Sequence, residues 1–275
     1  IPDHFQPAKD IHSAQSGKKM REFAREMGTV YFEVGRVGIE HTLPPDEGYI
    51  KPGMVVIGAD SHSCTHGALG AFATGVGSTD IAMGMATGTA WLRVPEAVKV
   101  EIKGKKRPGV SGKDLILYII GQLGVDGARY CSLEFTGAID QLTMADRFTM
   151  SNMGIEAGAK NAIFPVDDCT KAYLDVHAGG DYGLIFHADP DAESRKTLAV
   201  DLDALEPIVA FPHLPENAQP VSQAAAMHIP IDQAVTGSCT TGRLEATRGA
   251  AGAFRGQRNR ARVRRGLLPA TPAIQ

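Results

Sequence analysis

The stretch that most limits how this chain can fold runs from residue 54 to residue 79. It opens with Met54-Val-Val-Ile57, a short apolar run that predicts a strand buried inside a parallel sheet. Asp60, Ser61, His62, Ser63, Cys64, Thr65 and His66 follow at once, and Gly67, Gly70, Gly75 and Gly77 crowd in behind them. Open α/β sheets place ligands at the carboxyl ends of their strands, which is where this run delivers Asp60, Ser61 and His62. An ordinary core has no need for so many reactive groups, so the remaining elements are read as their support.

Those elements alternate. Residues 13–28 predict a helix with Ser13 as N-cap, Gly28 as stop, and Met20, Phe23, Ala24 and Met27 as a buried stripe. Residues 30–34 predict a strand, and residues 80–91 a helix. Residues 97–102 alternate as a half-buried strand. Ser111 with Asp114 predicts a capped helix over 115–123, stopped by Gly124, and residues 131–135 predict another strand. Thr143 with Asp146 caps a helix that carries Asn152 and Glu156 four residues apart on one face. Residues 189–203 read as acidic and irregular, residues 231–235 as a strand, and a helix is expected near Gly242. Strands alternating with helices predict an α/β architecture with mainly parallel sheets. A chain of 275 residues has room for two or three domains. Composition breaks near Val98 and after residue 189 divide it into residues 1–98, 99–205 and 206–275.

Composition excludes several functions. A net charge of -3 gives no global field to recruit nucleic acid or an anionic membrane. The longest apolar run, residues 115–120, is too short to span a bilayer. Four scattered cysteines, Cys64, Cys131, Cys169 and Cys239, form no disulfide framework and predict thiols in the cytoplasm. The chain opens at Ile1 with Asp3-His4 almost at its edge, which reads as a segment of something longer.

Asp60, His62, Cys64 and His66 alternate, so in an extended segment they would project to one side. That pattern suits a metal site, a carboxylate–imidazole acid/base pair, or a polar loop whose groups satisfy one another. Cys239, in Gly-Ser-Cys-Thr-Thr-Gly before a helix, could be a stabilised thiolate or a small buried residue. His41 after Gly-Ile-Glu, and Asp3-His4, read equally as site groups or as satisfied loop residues. Glu156 is either solvated or held in a site, and Asn152 on its face favours the site. Six arginines in residues 255–265 read as a solvated face.

Together these motifs resemble the aconitase superfamily, in particular the branch of 3-isopropylmalate dehydratase large subunits. The resemblance rests on Asp3-His4, Gly38-Ile-Glu-His41, residues 58–80, Asn152-Met-Gly-Ile-Glu156-Ala-Gly-Ala, Gly237-Ser-Cys239-Thr and Pro269-Ala-Thr271. It implies an aconitase-like fold of several three-layer domains around a cleft. It also implies a [4Fe–4S] cluster whose open iron acts as a Lewis acid on a 2-hydroxy diacid. The implied reaction is the isomerisation of 2-isopropylmalate to 3-isopropylmalate through isopropylmaleate, in leucine synthesis. By resemblance Cys239 is a cluster ligand. Asp3, His4, Asp60 and His62 handle the leaving hydroxyl, with His4 the proton donor. Ser61, His41, Asn152 and Glu156 line the cluster and substrate. The base is a serine of a swivelling domain, expected here on a small-subunit partner.

Departures from the family pattern qualify these expectations. The Cys-x-x-Cys that carries two further ligands, and the arginines that bind substrate, lie beyond the last residue of this sequence. Thr241 stands where the family commonly has Asn. The chain alone is therefore expected to hold no intact cluster. Homoaconitase-type dehydratases carry the same motifs. A non-catalytic RNA-binding or partner-binding protein, and a mononuclear metal hydrolase using Asp60, His62 and His66, are the readings from other classes.

Overall fold

A computed structural model describes residues 1, 7–33, 35, 38–256 and 263–271. The chain packs as two compact units, Ile1–Asp46 with Gln233–Gln275, and Glu47–Asp232. The first unit opens with α1 (Ile11–Met27), which ends on Gly28 in the left-handed conformation as its sequence predicts. Its N-cap is Asp10, not Ser13: the Asp10 carboxylate accepts from the Ser13 amide at 2.7 Å. The expected buried stripe is also wrong, since Ala24 is buried whereas Met20, Phe23 and Met27 are exposed. Residues 30–33 form no strand, and Val34 lies outside the described residues. The one-turn helix α2 (Leu43–Asp46) closes this part of the chain.

The second unit begins with β1 (Val55–Gly58), paired in parallel with β2 (Phe72–Gly75). Between them a 3₁₀ helix spans Ser61–Leu69. The strand expected to be fully buried is not, because Val55 is 70% exposed. Next come α3 (Ser78–Thr87), β3 (Ala97–Lys103), α4 (Gly112–Leu123), β4 (Ser132–Gly137) and α5 (Met144–Asn152). Capping boxes open α4 at Ser111 and α5 at Thr143, as the sequence predicts. A short 3₁₀ turn (Met153–Ala157) leads to β5 (Asn161–Ile163), α6 (Asp168–His177) and β6 (Lys196–Asp201). Neither α6 nor β6 is predicted, since their polar sequences hide the buried Leu174 and Val200. The unit ends with the antiparallel pair β7 (Ile208–Ala210) and β8 (Ala218–Pro220), then α7 (Val221–Ala226).

Helical crossovers make β3, β4, β5 and β6 a parallel sheet in the order β5-β4-β3-β6. Val98, Val100 and Ile102 project from β3 into the core, where Leu115, Ile116, Ile119 and Ile120 of α4 join them. Phe135 of β4 stacks on Phe164 at 4.4 Å. A smaller cluster, Ile50, Ala68, Leu69, Ala71, Phe148 and Leu174, lies against the long 3₁₀ helix. Arg147 of α5 is fully buried and bidentate to Asp167 at 2.7 and 2.6 Å. Burial by itself would raise the Asp167 carboxyl, but the hydrogen bonds from Arg147 and Thr170 outweigh it and hold the group below its ordinary value. This pair fixes α5, and with it Asn152, to the start of α6.

The chain then returns to the first unit through β9 (Gln233–Thr236), α8 (Ser238–Thr241), α9 (Leu244–Phe254) and β10 (Arg264–Leu267), with β9 and β10 parallel. The molecule is α/β with mainly parallel sheets. Among the described residues no helix is long and apolar enough to cross a membrane.

Candidate active site

Asp60 caps the 3₁₀ helix, its carboxylate accepting from the His62 amide at 2.8 Å. This helix overturns the alternating geometry expected of the segment. Three residues per turn align Asp60 with Ser63 and His66, Ser61 with Cys64, and His62 with Thr65, so residues two apart diverge. Cys64, Thr65 and His66 are buried, while Ser61 is exposed and His62 half-buried. Cys64 donates to the backbone carbonyl of Asn152 at 3.4 Å, which places it in the supporting packing.

His62 is the centre of the polar contacts. Its Nε2 lies 3.3 Å from Glu156 Oε1, and its Nδ1 lies 3.3 Å from Ser61 Oγ and 3.5 Å from Asp60 Oδ1. The hydrogen bond to Glu156 holds the imidazole above its ordinary pKa; partial burial opposes this, and the Asp60 and Glu156 charges add to it. Reciprocally, the bond from His62 holds Glu156 below the ordinary carboxylate value. Each group thus favours the charged form of the other. The side chains of His62 and Glu156 are 27% and 38% exposed, so a ligand can reach both.

Asn152 and Glu156 do not continue one α-helix, because α5 ends at Asn152 and the 3₁₀ turn follows. Glu156 reaches His62 directly. Asn152 is fully buried and donates to Thr65 Oγ1 at 2.8 Å, and the Thr65 hydroxyl donates to the His62 carbonyl at 2.6 Å. Glycines permit this close assembly. A Cβ on Gly67 would meet the Ala162 carbonyl oxygen at 2.0 Å, and one on Gly75 would meet the Asp60 carbonyl at 2.6 Å and Ser61 Cα at 2.8 Å.

In the first unit three other predicted motifs come together. The Ile39 amide donates to the Ala270 carbonyl at 2.9 Å, and Ala270 in turn donates to Gly242 at 3.0 Å. His41 is buried, with Nε2 3.6 Å from Glu40 Oε1. Cys239 is half-buried inside α8, a helix of a single turn, and its Sγ lies 3.9 Å from Thr240 Oγ1. The next helix, α9, starts only at Leu244. One turn carries little macrodipole, so the expected thiolate stabilisation loses most of its force. Asp3 and His4 lie outside the described residues, as do residues 257–262 of the arginine run.

An iron–sulfur cluster of the implied kind needs three thiolates. Cys64, Cys131 and Cys169 each lie against a different backbone carbonyl, of Asn152, Arg129 and Leu142. Burial raises the Cys169 thiol, against the thiolate form that ligation requires. Only Cys239 remains as a ligand, so the residues present do not fit an intact cluster by themselves.

The sequence reading missed Thr65, Arg129 and Lys160. Arg129, Lys160 and Ser61 line one cavity of about 430 Å³. Lys160 directly extends the Glu156-Ala-Gly-Ala motif, and a cation beside a predicted site was the available signal.

Residues 4–275 match the model of the aconitase family (aconitate hydratase). A 3-isopropylmalate dehydratase large subunit of Moorella thermoacetica is 56% identical over 276 residues, covering 100% of this chain and 65% of its own length. The corresponding subunit of Syntrophus aciditrophicus is 54% identical over the same shares. A 2,3-dimethylmalate dehydratase large subunit of Eubacterium barkeri is 56% identical, again over 100% and 65%. The chain thus spans about 65% of the length of the curated relatives it matches. The crystal structure of Thermococcus kodakaraensis aconitase X (holo-form) aligns with TM-score 0.51 over 96% of this chain and 60% of that one, at 13% identity, a likeness of fold.

Proposed function

The chain belongs to the aconitase family, and from that premise we propose that it is the greater part of the large subunit of a hydro-lyase acting on an alkyl-substituted 2-hydroxy diacid. The substrate named is 2-isopropylmalate, isomerised through isopropylmaleate. The observation that carries this reading is the half-buried His62 imidazole held between Glu156, Asp60 and Ser61. Removing water from a 2-hydroxy acid needs a proton for the departing hydroxide and a base for the hydrogen on the neighbouring carbon. His62 holds a proton at Nε2, and Glu156 keeps it there until a better acceptor arrives. Asp60 orients the imidazole through both its ring and its amide. Asn152 acts through Thr65 to fix the His62 backbone, a positioning part that suits its full burial better than contact with substrate.

The family implies an iron–sulfur cluster. In this reading it would be a [4Fe–4S] cluster, for which Cys239 would be one ligand beside others from the part of the relatives this chain does not span, and it would supply a Lewis acid. His41 is proposed to line the same centre, and Asp3 and His4 to handle the leaving hydroxyl together with Asp60 and His62, with His4 the proton donor. The large-subunit naming of the relatives supports a small-subunit partner, which would bring the base. Homoaconitase-type substrates are the alternative within the class, and the cytoplasm is the proposed location. Divisions after residues 98 and 205 are proposed as the family's domain borders.

The test is dehydration of 2-isopropylmalate by the full-length large subunit assembled with its small subunit. His62→Asn is expected to lower kcat at least about 100-fold, as loss of a general acid does, with the fold intact by circular dichroism. Turnover at the wild-type rate in His62→Asn would remove His62 from the chemistry.

A further inference from the structure

Next to Ser61 lies a feature that the acid/base pair does not use. The cavity of about 430 Å³ is lined by two cations, Arg129 and Lys160, and by no carboxylate. Neither cation forms an ion pair with any described residue. The Lys160 ammonium donates to the Gly75 carbonyl at 3.3 Å and lies 5.4 Å from the centre of the Tyr130 ring, both neutral partners. A half-buried ammonium so placed projects positive potential into the cavity, while on its other side Lys160 shares the adjoining cavity with Asp80. Arg129 is exposed and adds a planar fork of donors suited to a carboxylate.

The position of this charge follows from Gly75. Its carbonyl holds Lys160, while its Cα packs so tightly on Asp60 and Ser61 that no side chain fits between. Lys160 is therefore tied to the strand end that abuts the start of the catalytic turn. Ser61 faces both ways, lining the cavity and reaching His62 Nδ1. The volume falls in the range of small-molecule sites. Asp80 lines the neighbouring cavity, and its carboxylate accepts from the Gly77 amide at 3.0 Å.

We propose that Lys160, Arg129 and the Ser61 hydroxyl form a carboxylate subsite that takes one end of the dicarboxylate substrate and so sets its orientation at His62. The inference rests on the reading of the substrate as a 2-hydroxy diacid. It assigns Lys160 and Arg129 to binding, outside the proton transfer itself.

The experiment uses the full-length large subunit with its small subunit. Lys160→Met and Arg129→Met are each expected to raise KM for 2-isopropylmalate at least about 10-fold, the size of a lost charged hydrogen bond, with kcat within about 3-fold of wild type. Lys160→Arg should restore KM. Unchanged KM in both Met variants overturns the subsite, as does a fall in kcat at wild-type KM, which would make Lys160 a prop for Gly75. Arg129 is exposed and without an ion-pair partner among the described residues, so its variant keeps the test open if Lys160→Met fails to fold. Should the wild-type complex turn over no 2-hydroxy diacid, the functional reading fails, and calorimetric titration with succinate decides the subsite. Binding weakened 10-fold in Arg129→Met supports it; equal or absent binding in wild type and variant overturns it.

Discussion

Proton position at His62 depends on two neighbours that pull in the same direction. Glu156 and Asp60 raise the imidazole above its ordinary 6.5, and His62 lowers Glu156 below its ordinary 4.5. The stabilisation linked to His62 is complete below about 6.5 and is lost as pH rises through the raised folded value. That linked to Glu156 is complete above about 4.5 and is lost as pH falls through the depressed one. The charged pair therefore spans the interval between the two, which includes mildly acidic pH. In Glu156→Gln the titration midpoint of the His62 ring, followed by NMR, should fall toward 6.5; a midpoint at the wild-type position would show that Glu156 does not hold the proton. Much of this centre was legible in the sequence. Asp60, His62 and Glu156 stood out because a carboxylate, an imidazole and their dense setting are uncommon together. Thr65 did not, because a buried threonine that passes a hydrogen bond to a backbone carbonyl has no sequence signature.

The long 3₁₀ helix shows what composition can and cannot tell at the level of an element. That residues 60–66 follow a strand was readable from the apolar run before them. Their helical form was not, because it is imposed by packing against β2, which follows it, and against α5 and β5, which are distant in sequence. The same applies to α6 and β6, whose positions are set by Arg147 and by pairing with β3. Gly67 is where this packing is tightest, with backbone rather than a flexible side chain in the way. Gly67→Ala should cost about 1–3 kcal/mol, read as a fall in Tm of about 2–4 °C for each kcal/mol. A Tm equal to wild type would mean that the helix can slide away from β5.

At the scale of the whole molecule the two units differ in how they are made. Residues 47–232 are continuous and contain both apolar clusters, so they carry their own core. Produced alone, this segment should unfold cooperatively with near-ultraviolet circular dichroism present. A gradual, non-cooperative melt would show that its core depends on the flanking residues. The parallel sheet order was not legible in the sequence, because alternation of strands and helices leaves the neighbours of β3 open. The other unit is assembled from the two flanking segments, joined by the bond from Ile39 to Ala270. On the ribosome, residues 1–46 emerge before the segment they pack with and must wait for it through roughly 230 residues, the span from Ile39 to Ala270. At about 5–20 residues per second that delay is roughly 10–45 s. During it Ala24 and Leu43, which the finished unit buries, lack the returning segment that completes their packing, so the unit offers apolar surface to any chaperone nearby.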